Sequence, residues 1–308
     1  MTNQTEGRLE VKDLTKVYKI RKGLKSTDLI AANKVNFTLE QGKTIALVGE
    51  SGSGKSTVAK MLLKLEEPTS GQIMMDGNAV PKGRASKRYR SEIQMVFQDP
   101  FASLNPFHTV YHTIERPLKL HKRAKDKAGY EAEVARLLDR VRLTPTEVFA
   151  EKKPHEMSGG QRQRVAIARA LAPGARFLIA DEPVSMLDVS IRLGVLNLLA
   201  RLQREENLGV LYITHDLATA RHFSDEIMVM FRGNIVERGP ADQVILNPQH
   251  EYTKLLLAAA PNPDNQGRLR DSVREELAEA MEQQAKGHTA PKRDRFGTAQ
   301  LAKQVTGK

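Results

Sequence analysis

One nine-residue stretch limits the possible folds more than any other. GESGSGKST, Gly49–Thr57, matches the pattern G-x-x-x-x-G-K-[ST]. It follows the short apolar run Ile45-Ala46-Leu47-Val48 and precedes the helical spacing Val58, Met61, Leu62, Leu65. Strand, glycine-rich loop and helix, in that order, is the setting in which such a loop holds phosphate. Gly49, Gly52 and Gly54 allow the backbone to turn N–H groups inward around an anion. The helix starting near Lys55 aims the positive end of its dipole at the same point. Lys55 brings a point charge for β- and γ-phosphates, and Ser56 offers a hydroxyl to Mg²⁺. Glu50, Ser51, Ser53 and Thr57 complete the loop.

The rest of the chain supplies the sheet that such a loop needs. Leu9, Val11, Leu14 and Val17-Tyr18 alternate like a half-buried strand, as do residues 30–39. Residues 21–28 read as a loop between them. Ile73–Met75 and Ile93–Phe97 read as further strands. Residues 107–157 are rich in Lys, Arg, Glu and Leu, with helical spacing at Val134, Leu137, Leu138 and Val141. Strand and helix then alternate: Phe177–Ala180, the helix Ser190–Gln203, Val210–Ile213 and Ile227–Phe231. This pattern predicts an α/β sheet with appended subdomains. After Pro261 the chain turns polar, with a thin apolar stripe predicting a helix over 268–286.

A second half-site is FLIADEP, Phe177–Pro183. An apolar strand ending in a carboxylate places it at the sheet's C-terminal edge, beside the loop. Asp181 is the metal-side residue. Glu182 follows immediately and points elsewhere, toward an attacking water, as a general base or water-positioning group. Gln98, at the end of IQMVF, could reach metal and water. His215, after VLYIT, could donate to a γ-phosphate, and Tyr18 could stack on adenine. A lone Gln, His or Tyr at a strand end is more often structural, so these three need further support.

Charge excludes little but poses a question. The 308 residues hold 48 Lys+Arg against 37 Asp+Glu, a net +11, and the whole surplus falls in the first 164. Basic runs occur at residues 16–25, 82–90 and 119–127. A balance this basic calls for an acidic partner: nucleic acid, anionic lipid or phosphate. The absence of cysteine rules out disulfides, thiolate zinc sites and iron–sulfur clusters. No apolar run approaches the roughly 18 residues of a spanning helix, and the polar start has no signal-peptide core. A cytoplasmic protein, soluble or peripheral to a membrane, is the expectation.

Met157–Leu171 reads MSGGQRQRVAIARAL, and its Ser158-Gly159-Gly160-Gln161 resembles the signature motif of ABC ATPases. The other motifs follow the order of that family over residues 8–261. They are an aromatic A-loop at Tyr18, Walker A at Gly49–Thr57, a Q-loop at Gln98, the signature, Walker B with Asp181 and Glu182, a D-loop at Ser185–Asp188, and an H-loop at His215. QDPFASLNP, ADEPVSMLDVS and NPQHEYTKLLLAAAP resemble the dipeptide/oligopeptide importer branch, and its second ATPase subunit more than its first. HEYT stands where HPYT is usual, and Met186 where Ala is usual. The cysteine motif that many relatives carry is missing, so no iron–sulfur cluster is carried over.

The resemblance implies an ATPase using ATP and Mg²⁺, with Ser56, Gln98 and Asp181 at the metal. Its fold would be a P-loop NTPase (RecA-like) core with an antiparallel β subdomain. A helical signature subdomain would be inserted at about 101–164, and a polar extension would occupy 262–308. Two such subunits pack head to tail, each ATP lying between one Walker A and the other signature. The implied partners are a paralogous ATPase, two transmembrane permease subunits and an extracytoplasmic solute-binding protein, with peptides as cargo, or oligosaccharides, nickel or glutathione. The chain does not say whether the pair is hetero- or homodimeric. A nucleic-acid-handling member is the alternative prompted by charge, but one cassette without cysteine or long heptads opposes it. A non-hydrolysing subunit would carry degenerate sites, and none is degenerate here. A GTPase would need N-K-x-D, whereas Asn33-Lys34-Val35-Asn36 ends in Asn.

Overall fold

A computed structural model describes residues 6–22, 25–81 and 86–259. The polar extension and the helix expected at 268–286 lie outside them. The strands among the described residues are β1 (Arg8–Lys22), β2 (Lys25–Glu40), β3 (Thr44–Val48), β4 (Ser70–Met75), β5 (Asn78–Ala79), β6 (Ile93–Val96), β7 (Phe177–Asp181), β8 (Gly209–Thr214), β9 (Glu226–Phe231) and β10 (Asn234–Pro240). They form two sheets, an antiparallel β2-β1-β4-β5 and a larger β10-β9-β3-β8-β7-β6. In the larger sheet β9, β3, β8, β7 and β6 are parallel, and β10 returns antiparallel to β9.

The parallel strands are apolar on both faces, which is why they read as short unbroken runs rather than alternations. On β3, Ile45 and Leu47 pack with Val58, Met61 and Leu62 of the helix Lys55–Leu62 and with Leu9, Val35 and Phe37 of the antiparallel sheet. Ala46 and Val48 face the other way, with Ile114, Leu138, Val165, Leu196 and Leu199 of the helices beyond. Each strand residue therefore serves one of two cores by parity alone.

Two expectations need correction. The described residues of the loop expected at 21–28 are strand: Ile20 pairs with Thr27, Arg21 with Ser26 and Lys22 with Lys25 in the β1–β2 hairpin. Ile20, Arg21, Ser26 and Thr27 are exposed, so no hydrophobic alternation marks them. Also, the helix after the phosphate loop stops at Leu62 rather than Leu65, because Lys64 takes a left-handed φ of 55°. Leu65 is left 66% exposed.

Residues 110–171 form the inserted helices Val110–Leu120, Lys127–Arg140, Thr146–Glu151 and Gly159–Leu171. Thr109 and Asp126 cap the first two, their side chains accepting from His112 N and Gly129 N. A clasp unnoticed in the sequence joins the two sheets. The guanidinium of Arg176, just before β7, grips Asp76 through paired bonds of 2.7 and 2.8 Å. It also reaches Glu92 at 3.1 Å and the Gln41 side-chain oxygen at 3.0 Å. No helix of the described residues is long and apolar enough to cross a membrane.

Candidate nucleotide-binding site

The phosphate loop bridges the end of β3 and the helix Lys55–Leu62. Gly54 caps that helix with φ 112°, and a Cβ there would stand 2.0 Å from the carbonyl oxygen of Ala31. Only glycine fits. Having no side chain, Gly54 makes no capping bond, so the helix's first N–H groups point at whatever anion the loop holds. Lys55 is buried, and its Nζ donates to the carbonyls of Gly49 (2.6 Å) and Glu50 (2.8 Å). Burial pulls the Lys55 ammonium below its ordinary value, against the opposing charges of Glu182, Asp181 and Glu50.

Asp181 ends β7, and the Ser56 hydroxyl hydrogen-bonds to it. Burial pushes the Asp181 carboxyl above its ordinary value. The Ser56 bond and Lys55 oppose this, and the Glu182 charge adds to it. Glu182 leaves the strand with a left-handed φ of 45°. That turn swings its side chain away from Asp181, and it costs a non-glycine residue about 1 kcal/mol or more. It is held by Glu182 N–H donating to Ile213 O at 2.9 Å and by the Ser185 hydroxyl donating to the Glu182 carbonyl at 3.1 Å.

Glu182 gathers the two residues that looked isolated in the sequence. Gln98 Nε2 donates to Glu182 Oε2 at 3.0 Å, and His215 Nδ1 lies 3.2 Å from Glu182 Oε1. An ionised carboxylate only accepts, so this contact places the proton on Nδ1. In a neutral ring Nε2 then shows a lone pair. Donation by His215 to a phosphate requires either the doubly protonated ring or release from Glu182.

These groups line one cavity of 790 Å³ with Tyr18, Leu29, Ile30, Ser51, Gly52, Gly54, Lys55, Ser56 and Thr57. Lys16 Nζ sits 5.0 Å above the Tyr18 ring, on a strand register that pairs Tyr18 with Leu29. Ser158–Gln161 lines no part of this cavity. That segment starts the helix Gly159–Leu171 in a closed capping box: Gln161 N donates to Ser158 Oγ (3.3 Å), and Ser158 N to Gln161 Oε1 (3.0 Å). The Ser158 hydroxyl accepts there, so its own proton stays available. Gly160 is required by packing, since a Cβ would meet Ile191 Cγ2 at 2.5 Å.

A larger groove, 950 Å³, lies beside the site and shares Ser56, Gln98 and Asp181 with it. Its apolar rim is Leu65, Phe97 and Leu120, with Ser103 and Asn105 from the SLNP stretch.

The family model for ABC transporters matches residues 32–185, and that for the oligopeptide/dipeptide transporter C-terminal region matches 236–288. The chain is 43% identical to the oligopeptide transport ATP-binding protein OppF of Bacillus subtilis, over 92% of each chain. The chain belongs to the ABC transporter family. Among other members of this family, the dipeptide transport ATP-binding protein DppF of Escherichia coli is 44% identical, over 83% of this chain and 78% of DppF. The dimeric, post-hydrolysis ATP-binding cassette MJ0796, bound to ADP and phosphate, superposes with a TM-score of 0.65. It is 31% identical and covers 76% of this chain and 98% of its own. Like these cassettes, this ABC chain is built as an ATPase. Met186, in its D-loop, is 55% exposed, and nothing in the structure explains its choice over Ala.

Proposed function

We propose that this ATPase powers an importer of peptides. It would pair head to tail with a second, paralogous ATPase subunit beneath two transmembrane permease subunits served by an extracytoplasmic solute-binding protein. One observation carries the reading. Gln98, Glu182 and His215, brought from three strand ends, form one hydrogen-bonded group in the Lys55–Asp181 cavity, while Ser158–Gln161 lies outside it. A complete site then needs the signature of another chain.

Ser56, Asp181 and the Gln98 amide oxygen make an oxygen donor set of the kind Mg²⁺ prefers. Bound there, the metal would neutralise charge on the β- and γ-phosphates. The chain's own residues do the rest. The N–H groups of Gly52–Thr57 and the Lys55 ammonium hold and orient the phosphates. Tyr18 and Leu29 offer a surface for the base. Glu182 takes the proton of the attacking water as the new P–O bond forms and the bond to the departing ADP oxygen breaks. Gln98 fixes the Glu182 carboxylate from one side and His215 from the other.

Gln98 lines both the nucleotide cavity and the neighbouring groove. This supports reading the groove as the permease seat, with Gln98 as the link between docking and hydrolysis. The assembly would sit at the cytoplasmic face of the membrane.

The test is to isolate the assembly from native membranes, identify the co-purifying solute-binding protein, and measure ATPase activity with candidate solutes. Stimulation by di- to oligopeptides is the expected result. A second reading has one support. The chain is 46% identical to the glutathione import ATP-binding protein GsiA of Pectobacterium atrosepticum, of which it spans 43%. Stimulation by glutathione and not by longer peptides would replace the first reading with it.

A further inference from the structure

The helix Glu251–Ala259 lies within the C-terminal match at 236–288, far along the chain from the phosphate loop, yet one of its side chains touches that loop. Tyr252 is 4% exposed. Its hydroxyl oxygen accepts a hydrogen bond from the backbone N–H of Glu50 at 3.0 Å. The carbonyl of the same residue accepts from Lys55 Nζ at 2.8 Å. Glu50 is thus gripped at both ends, from inside the loop by Lys55 and from outside by Tyr252. Burial pushes the Tyr252 phenol up to about 12, which keeps the hydroxyl neutral.

The helix that carries Tyr252 is itself firmly seated. Glu237 on β10 accepts from the backbone N–H groups of Gln249 (2.8 Å) and His250 (2.9 Å). The Tyr252 N–H donates to His250 Nδ1 at 3.1 Å. Its ring packs on Phe231 with centroids 4.2 Å apart, and the next residue, Arg232, lines the nucleotide cavity. Glu251 at the first helical position keeps the helix start sound, since a carboxylate suits the positive end of the dipole. Packing alone would be served by a phenyl ring. The hydroxyl has a separate task, because the Glu50 N–H has no partner within the loop that could replace it among the hydrogen bonds of the described residues.

We propose that Tyr252 is a positioning residue for the phosphate loop. Its hydroxyl ties the C-terminal region to Glu50, so nucleotide loading and seating of the helix Glu251–Ala259 strengthen each other. By linkage, whatever pulls on this helix weakens nucleotide binding, and nucleotide tightens the helix by the same factor. The inference rests on ATP being the ligand of the loop.

Tyr252→Phe deletes the hydroxyl and keeps the ring on Phe231. Loss of one neutral hydrogen bond predicts an ATP KM, and a Kd for a fluorescent ATP analogue, raised about fivefold. The kcat at saturation stays within about twofold, because no group at the reacting atoms is changed. In the wild-type protein, ATP increases the hydrogen-exchange protection of residues 251–259, and Tyr252→Phe abolishes that increase. Lys254→Gln, on the exposed side of the same helix, leaves the KM, the kcat and the exchange response at wild-type values, since its surface ion pair contributes little. Wild-type exchange that ignores ATP overturns the proposal without any variant, as does a Tyr252→Phe protein with unchanged KM. A fall in kcat with KM untouched does so too. Failure of the wild-type protein to bind ATP at all would instead overturn the nucleotide reading itself.

Discussion

Glu182 shows how one backbone angle separates two neighbouring carboxylates. Asp181 completes β7 and turns toward Ser56, whereas Glu182, at φ 45°, turns toward Gln98 and His215. Glu182→Gln keeps a side-chain oxygen for Gln98 and removes the base. Turnover is expected to fall by about 10²-fold or more, with ATP affinity retained. The dimer should persist with ATP, as light scattering after size exclusion would show. Near-normal phosphate release would remove Glu182 from its role. The adjacent acidic pair was legible in FLIADEP, but the angle was not, because it is imposed by Ile213 O on the neighbouring strand.

Between elements, the Arg176 clasp carries what neither sheet holds alone. Its side chain and that of Asp76 are 22% and 19% exposed, so their paired, charge-assisted bonds are only partly screened. Arg176→Ala is expected to destabilise the fold by about 2–3 kcal/mol, read from urea midpoints at pH 7. The hydrogen bonds from Arg176 hold the Asp76 carboxyl below its ordinary value of 3.8. A depressed folded value means the unfolded chain binds the proton more readily, so this stability is fully present above the unfolded value. It is lost as pH falls through the folded value. The gap between wild type and Arg176→Ala should therefore hold from pH 7 to about 5 and shrink below about 4. A gap independent of pH would assign the loss to packing instead. No spacing in the sequence marks Arg176, which meets partners at positions 41, 76 and 92 only through the fold.

For the whole molecule, the decisive fact is that the Ser158–Gln161 helix start stands apart from the chain's own nucleotide cavity. Gly159→Asp puts a carboxylate at that helix start, where the new Cβ would stand 3.2 Å from Leu187 Cδ2, so that the leucine side chain must shift by a few tenths of an ångström. The isolated variant should bind ATP as the wild type does, while the assembled transporter loses most of its ATPase activity. Loss of binding by the isolated chain would place the signature in its own site after all. The net +11 also reads differently at this scale. In the basic runs, Lys16 pairs with Glu66, Arg88 with Glu92, Lys119 with Glu115 and Lys127 with Glu131. These pairs make the runs less basic locally, but their acids are already counted in the balance, so the net +11 stands, and within it Lys55 is turned to the loop.

The sequence by itself determined what depends on local order. The strand–loop–helix at Gly49–Thr57, the parity of the buried strands, the carboxylate pair after β7 and the Ser158–Gln161 capping box are all local. Each is set by residues within one element, where spacing and geometry are the same thing. Tertiary structure decided what depends on distant partners. It paired the polar hairpin tip, joined Gln98 and His215 through Glu182, seated Arg176 between two sheets, and laid Tyr252 against Glu50 across 202 positions. A hydrogen bond between such residues leaves no periodicity in the chain, because only folding brings its two ends within 3 Å or so of each other.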